Sequence, residues 1–294
     1  MFTRLFLFLI ANFGVLAMLS LSVRLLGLDD YLASQGGAFQ INGLLIMAAV
    51  MGFFGSFISL AMSKTMAIRS MGVRLIEAPA NETEAWLLHT VKRQADAAGI
   101  GMPDVGIFDA DVVNAFATGM NKHDALVAVS SGLLRSMSRD EAEAVLGHEV
   151  SHVANGDMVT MALLQGVLNT FVVFFSRVIG ILIDRAVFRI ERGIGPGYWI
   201  GSIVAELLLG LLAAMVAAAF SRYREYRADA GGARLAGRNK MIAALERLIR
   251  VRDAARPLPG EFAAFGIAGG KTLTMLLGTH PPLEKRIERL RQMP

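Results

Sequence analysis

One stretch near the middle of the chain reads Glu143-Ala144-Val145-Leu146-Gly147-His148-Glu149-Val150-Ser151-His152-Val153-Ala154-Asn155 and contains the pattern His-Glu-x-x-His. On an α-helix, residues four apart lie on the same face, so His148 and His152 can direct two imidazoles at one point. Glu149 is close enough to polarise a water molecule on a zinc ion held there. The stretch therefore predicts a helix with two metal ligands and a general base.

Local signals predict where this helix begins and ends. Ser138, followed three residues later by Glu141, has the form of a capping box, so the helix should start near Ser138. The pair Asn155-Gly156 is a stop signal. We therefore expect both histidines in the later part of a helix of ordinary length.

The composition indicates a membrane protein with a soluble portion, because 54% of the 294 residues are hydrophobic and only 18% are charged. The chain has no cysteine, which excludes disulfides and thiolate metal sites and leaves His, Asp and Glu as ligands. The net charge of +4 is first explained by Lys and Arg on cytoplasmic loops, so nucleic acid is not an expected partner.

Two uncharged segments near the N-terminus predict membrane-spanning helices. Residues 5–23 lie between Arg4 and Arg24, and residues 41–62 form the apolar part of a second segment. Lys and Arg follow the second segment, whereas the turn between the two has only acidic charges. The positive-inside rule then places the N-terminus and the chain after residue 63 in the cytoplasm.

The chain after residue 63 predicts a soluble part with a small sheet. Short apolar segments at 105–108, 114–118 and 125–129 are separated by Asp, Gly and Asn clusters, which is typical of strands. Residues 158–176 and 198–220 are again long and apolar, and they predict a transmembrane hairpin.

Arg177 and Glu206 are the charges nearest to apolar positions of that hairpin. Ionised groups in a membrane usually pair or face water. Two hypotheses stay open: a mutual ion pair that fastens the hairpin, or two side chains that reach the interface separately.

A zinc site of this type needs a third protein ligand. No further His follows His152 at the spacing of a metzincin, and Glu225 is the leading candidate. Asp229 is four residues further on, where it could accept the outer ring N–H of a ligating histidine. The alternative for Glu225 is an ordinary i, i+4 partner on an exposed helix.

Four motifs carry a resemblance to a known family. They are His148-Glu149-Val150-Ser151-His152, Ser221-Arg222-Tyr223-Arg224-Glu225-Tyr226-Arg227-Ala228-Asp229, Thr279-His280-Pro281-Pro282 and Asn114-Ala115-Phe116-Ala117-Thr118-Gly119. Together they resemble the M48 family of integral-membrane zinc metallopeptidases, and the resemblance covers essentially the whole chain.

The resemblance implies a role for each matching residue of the metal site. His148, His152 and Glu225 would ligate one Zn²⁺ per chain, Glu149 would be the general base, and Asp229 would be the outer carboxylate.

The resemblance also implies two features around the metal. His280 would lie near the site, either as a donor to the oxyanion of the reaction or, alternatively, as a structural cap of the last helix. Substrate would bind along an edge strand, with an ordinary interior strand as the alternative. The residues of this strand are Asn114, Ala115, Phe116 and Ala117.

We therefore expect a mainly α-helical fold with a small β-sheet: four transmembrane helices and a zincin-like (gluzincin) protease domain at the cytoplasmic face. His152 and Glu225 must meet at one ion, so the chain must cross the membrane an even number of times between them. A hairpin that enters the bilayer without crossing it is the alternative. The predicted domains are residues 1–63 (two spans), 64–157 (first part of the protease domain), 158–220 (hairpin) and 221–294 (second part).

By resemblance, the function would be that of a zinc endopeptidase in the bacterial inner membrane, with lipid bilayer around it. Its substrates would be misfolded or damaged membrane proteins, cleaved in the course of a stress response. An alternative from another class is a catalytically idle membrane adaptor that binds extended polypeptide segments along the same edge strand.

Overall fold

A computed structural model describes residues 41–190, 194–254 and 276–293. The chain forms two compact units, of which the first comprises Met1–Ser59 and Met161–Ala217. The second comprises Leu60–Thr160 and Ala218–Pro294. The predicted span at residues 5–23 lies outside the described residues.

Long apolar helices make up the described part of the first unit. Helix α1 (Ile41–Ala49) continues through a π-helical segment (Val50–Phe54) into α2 (Gly55–Ser70). Helices α6 (Asp157–Ala186) and α7 (Pro196–Ala236) follow later in the chain. Within the described residues, three helical stretches are long and apolar enough to cross a membrane: Gly43–Ser70, Asp157–Ala186 and Pro196–Ala236.

Small residues allow two of these helices to approach closely. A Cβ atom on Gly52 would lie 2.5 Å from the backbone nitrogen of Thr170 and 2.8 Å from the carbonyl oxygen of Gly166. Such contacts between small residues replace the hydrophobic effect as a source of helix association in a bilayer. Leu44 and Phe174 are fully buried in the same cluster.

Polar contacts fasten the α6–α7 hairpin. Nη1 of Arg177 lies 3.3 Å from Oε2 of Glu206, which is the geometry of the predicted ion pair. Asp184 is buried, and its carboxylate accepts hydrogen bonds from the backbone N–H groups of Gly195 (2.6 Å) and Gly197 (3.1 Å). Asp184 thereby satisfies free N–H groups at the start of α7.

The second unit contains the predicted small sheet, with strand order β1-β2-β4-β3. The strands are β1 (Arg74–Leu75), β2 (Asp104–Phe108), β3 (Ala115–Asn121) and β4 (Asp124–Ser130). Strand β2 runs parallel to β4, whereas β1 and β3 are antiparallel to their neighbours. In the part of the chain that the structure describes, β3 is an edge strand, so the interior-strand alternative is wrong there. The sequence analysis missed β1, which is too short to show a pattern.

Helices pack around this sheet and form one core. They are α3 (Glu82–Ala98), α4 (Ser131–Ser136), α5 (Arg139–Asn155), α8 (Arg238–Ala254) and α9 (Leu283–Arg291). Apolar side chains of α3, α5, β2 and β4 bury one another, as alternation on strands and helical spacing on helices require. Core members include Leu87, Val91, Val105, Val127, Val129, Leu146 and Val150.

The predicted limits of α5 are confirmed. Oγ of Ser138 accepts from the backbone N–H of Glu141 (3.2 Å), and Oε2 of Glu141 accepts from the N–H of Ser138 (2.8 Å). Gly156 ends the helix with φ +64°, a left-handed conformation that glycine adopts without steric cost.

Candidate metal centre

Helix α5 directs both histidines of the pattern to one point, as their spacing predicts. The Nε2 atoms of His148 and His152 lie 3.1 Å apart, and both side chains are largely buried. Two imidazole nitrogens at this distance can share one small cation as ligands.

Helix α7 brings Glu225 to the same point. Its Oε1 lies 3.3 Å from Nε2 of His152, and its Oε2 lies 3.5 Å from Nε2 of His148. Glu225 is 2% exposed, which contradicts the alternative of an exposed helical partner. One ligand atom from each of the three residues lies within 4.8 Å of the others.

Two glycines set the distance between α7 and α5. A Cβ atom on Gly231 would lie 2.2 Å from Oγ and 2.6 Å from Cβ of Ser151. A Cβ atom on Gly232 would lie 3.0 Å from the backbone nitrogen of His148. Glu225 reaches the histidines because nothing larger than hydrogen separates the helix backbones at these positions.

Each histidine has a carboxylate on its outer nitrogen. Oδ1 of Asp229 lies 3.0 Å from Nδ1 of His148, in the position expected of the outer carboxylate. Oδ2 of Asp157 lies 2.7 Å from Nδ1 of His152. Both contacts leave the Nε2 atoms to face the common point.

Arg286 closes the site from helix α9. Its Nε and Nη2 donate to the two carboxylate oxygens of Asp229 at 2.8 and 2.6 Å, a two-pronged pair. Its Nη1 also lies 3.4 Å from Oε2 of Glu225. The buried guanidinium therefore balances part of the negative charge that two carboxylates place beside the histidines.

His280 also reaches the site. Its Nδ1 lies 2.8 Å from Oε2 of Glu225, while its side chain remains 65% exposed. No side chain caps α9, which begins after Pro282, so the capping alternative for His280 is wrong. The segment before His280 is held by Arg222, whose Nη1 donates to the carbonyl oxygens of Leu276 (3.2 Å) and Gly278 (2.7 Å).

The edge strand presents a regular set of free backbone groups. The N–H of Ser130 donates to the carbonyl of Asn114 at 2.9 Å, and in an antiparallel pair hydrogen-bonded residues alternate with those directed outward. The backbone groups of Ala115 and Ala117 therefore point away from β4, toward the open edge. Their side chains pack on the core that contains α5, whereas Phe116 packs with Phe108 on the other face.

All but one of the predicted site residues line a common cavity of about 340 Å³. Asp229 is the exception and lies buried behind His148. The cavity combines the ligands, the predicted base, the edge strand and His280 in one open cleft. Its lining comprises Asn114, Ala115, Phe116, Ala117, His148, Glu149, His152, Asp157, Met158, Ser221, Arg224, Glu225, Thr279 and His280.

Comparison with known proteins decides the family. Residues 81–294 match the family model of peptidase family M48. The chain belongs to peptidase family M48. Within this family, several relatives of the chain bear the name Protease HtpX or Protease HtpX homolog.

This M48 peptidase is 59% identical over 288 residues to a Protease HtpX homolog of Nitrosomonas eutropha, covering 98% of each chain. It is 61% identical over 290 residues to a Protease HtpX homolog of Thiobacillus denitrificans, again covering 98% of each. It is 58% identical over 289 residues to Protease HtpX of Pseudoalteromonas atlantica, covering 98% of this chain and 99% of the relative. The protein is a metallopeptidase, and hence a hydrolase.

The fold also resembles that of a protein of known structure. The crystal structure of S. mikatae Ste24p superposes with a TM-score of 0.64 at 17% sequence identity. The match covers 96% of this chain and 66% of that one. At this sequence identity the likeness concerns the fold alone.

The two histidines of this M48 peptidase are linked electrostatically to their carboxylates. Burial alone would lower the pKa of His152, but hydrogen bonds to Asp157 and Glu225 outweigh burial and raise the pKa to about 10. Against the same effect of burial, Asp229 and Glu225 raise the pKa of His148. Burial would raise the pKa of Glu225, yet its contacts with both histidines hold it well below its usual range.

Sequence reasoning missed Asp157 and Arg286, although each leaves a signal. Asp157 follows the glycine that ends the metal-binding helix, five residues after His152, where the chain reverses. Arg286 lies between Leu283, Ile287 and Leu290, the apolar side of the last helix. A charge at such a position requires a buried partner.

Proposed function

We propose that this M48 peptidase is a membrane-embedded zinc endopeptidase that hydrolyses peptide bonds of misfolded or damaged membrane proteins. The convergence of His148, His152 and Glu225 on one point beside Glu149 carries the proposal. Two imidazoles and a carboxylate are the ligand set of a catalytic zinc site with a position open for water.

The residues present fit such an ion. Oε2 of Glu225 is buried and accepts no hydrogen bond in the described structure, although nitrogens of His280, Arg286 and His148 lie within 3.5 Å. A buried carboxylate oxygen without a hydrogen bond is costly, and the ion pair with Arg286 at 3.4 Å offsets this cost only in part, so that a bound metal ion would satisfy the oxygen. Zinc bound here would lower the pKa of a water molecule and polarise the scissile carbonyl.

Each side chain of the site then has its own role in proton transfer, in stabilising the oxyanion or in orienting a ligand. Glu149 takes the proton of the attacking water and passes it to the leaving amine. His280 donates a hydrogen bond to the oxygen that gains negative charge. Asp229 holds Nδ1 of His148, so that Nε2 is the ligand atom.

An extended substrate binds along β3 by strand addition. The outward N–H and C=O groups of Ala115 and Ala117 pair with the substrate backbone, within the cavity that contains Glu149. Backbone pairing selects for unfolded, extended segments and is tolerant of side-chain identity, which suits a quality-control substrate. Asn114 and Phe116 complete the strand without supplying outward backbone groups.

The proposed location is the bacterial inner membrane, with four spans and the site at the cytoplasmic face. The three apolar helices of the described residues and the sharing of one site by α5 and α7 support an even number of crossings between them. The arginines of the 185–192 loop depart from the positive-inside tendency. The division into domains at residues 63, 157 and 220 remains a prediction.

Two variants and a chelator test the function. Purified protein is expected to contain zinc, and Glu225→Ala is expected to lose it, as measured by elemental analysis. Glu149→Gln is expected to keep zinc but to cleave an unfolded membrane substrate about 10²–10⁴-fold more slowly.

Chelation should abolish cleavage by the wild-type protein, and added zinc should restore it. Equal cleavage by wild type and Glu149→Gln would contradict this mechanism and favour the idle adaptor. Undiminished zinc in Glu225→Ala would remove the third ligand.

A further inference from the structure

We propose that Asp157 is a positioning residue of the metal site, which orients His152 and raises the basicity of its ligand nitrogen. This inference rests on the zinc function proposed above and names the residue that controls one of its ligands. Oδ2 of Asp157 lies 2.7 Å from Nδ1 of His152, and Asp157 is 2% exposed. With Nδ1–H donated to this carboxylate, the lone pair of Nε2 faces the metal.

The backbone holds Asp157 in place independently of His152. Gly156, at φ +64°, turns the chain back over the end of α5, so that a residue five positions after His152 faces its ring. The N–H of Thr160 donates to the carbonyl of Gly156 at 3.1 Å and closes this turn. Nη1 of Arg224 donates to the carbonyl oxygen of Asp157 at 3.0 Å. The carboxylate is therefore preorganised before a metal binds.

The partner of this carboxylate is unusual for its position. Asp157 is the first residue of α6, where an acidic side chain ordinarily stabilises the free N–H groups of its own helix. Among the hydrogen bonds of the described residues, the Asp157 carboxylate accepts from His152 alone. The Asp157 side chain thus accepts a hydrogen bond from the predicted metal ligand His152 and not from the N–H groups of its own helix.

The two outer carboxylates differ in a way that makes Asp157 the stronger one. Asp229 shares its charge between Nδ1 of His148 and the two-pronged contact with Arg286. The Asp157 carboxylate accepts a hydrogen bond from His152 alone among the described residues, and at a shorter distance, 2.7 Å. Removal of the Asp229 carboxylate would leave the buried guanidinium of Arg286 without its two-pronged partner, whereas among the described residues no guanidinium donates to the Asp157 carboxylate. The role of Asp157 can therefore be measured separately from folding.

Zinc affinity is the direct test, measured on the full-length protein by competition with a chromophoric chelator. Asp157→Asn keeps an oxygen that accepts from Nδ1 but loses the charge, and we expect zinc to bind about 10-fold more weakly. Asp157→Ala loses both and should bind about 100-fold more weakly. Asp96→Asn is the matched control, because this exposed carboxylate contacts only Lys92 in the described structure, at 3.3 Å, and its affinity should equal that of wild type.

Two further measurements separate positioning from structural support. The visible spectrum of the Co²⁺-loaded protein should shift in Asp157→Asn and not in Asp96→Asn, since ligand orientation sets the geometry around cobalt. The helical content in excess chelator, measured by circular dichroism, should be the same for wild type and Asp157→Asn.

Wild-type zinc affinity and an unshifted cobalt spectrum in both Asp157 variants would overturn the proposal and leave the zinc function standing. A loss of helical content in metal-free Asp157→Asn would also overturn it, by assigning the carboxylate to folding. Failure of the wild-type protein to bind zinc would overturn the zinc function itself and this inference with it.

Discussion

The metal site joins two helices that are specified in different ways. Helix α5 has 17 residues, with a capping box at one end and a left-handed glycine at the other. Helix α7 has 41 residues and continues from an apolar segment into the charged stretch around Glu225 without interruption. Local signals thus define the helix with two ligands, whereas nothing local separates the ligand-bearing part of α7 from its membrane-compatible part.

The difference shows where the precision of the site originates. The position of His148 relative to His152 follows from helix geometry alone. The position of Glu225 relative to both follows from how closely α7 approaches α5 at Gly231 and Gly232. One half is a property of a helix and the other is a property of a packing interface.

The largest expected effect is that of pH on the zinc affinity of the site, in which His152 of α5 meets Glu225 of α7. Hydrogen bonds to Asp157 and Glu225 outweigh burial and raise the pKa of His152 to about 10, so zinc must displace a proton from it at neutral pH. Zinc affinity, measured by chelator competition, should rise about tenfold per pH unit for each proton displaced between roughly pH 6.5 and 9. A pH-independent affinity would contradict the ion pairs between His152 and Glu225.

The same shift predicts the sign of a stability effect in the metal-free protein. A histidine with a raised pKa stabilises the fold fully below its unfolded value of 6.5, and this contribution is lost as the pH rises through about 10. The unfolding temperature in chelator should therefore fall over that range on account of His152. With zinc bound, no proton is left to lose and the fall should be absent.

Gly231→Ala should disrupt the close packing of α7 against α5 without changing the capping box or the glycine that ends α5. The added Cβ would lie 2.2 Å from Oγ of Ser151, so the helices must separate, at a cost of about 1–3 kcal/mol. Both the unfolding temperature and the zinc affinity should fall. Gly210→Ala on the same helix is the control, because nothing lies within 4 Å of its Cβ position. An unchanged zinc affinity in Gly231→Ala would show that the close approach is not what positions Glu225.

Ser138→Ala should destabilise the start of helix α5 without changing the zinc affinity. Loss of the capping box costs about 1 kcal/mol, which thermal unfolding would detect. Zinc affinity should stay at the wild-type value, because the histidines lie in the later turns of α5 and are held by the core. Ser136→Ala in the preceding helix serves as control, and a loss of zinc affinity specific to Ser138→Ala would contradict the separation between capping and site geometry.

The smallest effect is expected in the hairpin that connects the two halves. Arg177→Gln and Glu206→Gln should each lower stability, with a coupling of about 0.6 kcal/mol in a double-mutant cycle. Unfolding in detergent or lipid would measure it. Strictly additive single effects would show that the two side chains are independent despite their distance of 3.3 Å.

The sequence predicted the fold where signals are local or periodic. The start at Ser138, the stop at Gly156, three strands and the long apolar helices follow from capping, turn chemistry and hydrophobic patterns. The sequence analysis predicted helix α7 in two parts, an apolar span ending near residue 220 and a charged helix after it. The helix is instead continuous to Ala236, because it contains no proline after Pro196.

The candidate site shows the same division. Glu225 was predicted as a ligand because it lies on a later helix and because its motif resembles that of family M48. The structure places Glu225 beside both histidines. Asp157 was missed because its partner His152 lies on the other side of a turn. Arg286 was missed because its partner Asp229 is far away along the sequence. A single sequence does not reveal which buried charge meets which.

By itself, the sequence determined that this protein has a helix with two aligned histidines, an edge-capable strand and apolar segments long enough for a membrane. These features depend on spacing along one chain segment, and spacing is written directly in the residue order. Only the tertiary structure decided that Asp157 and Asp229 each hold one histidine, that Arg286 balances the site and that glycines admit Glu225. These contacts depend on the distance between separate elements, which packing sets and no local pattern encodes.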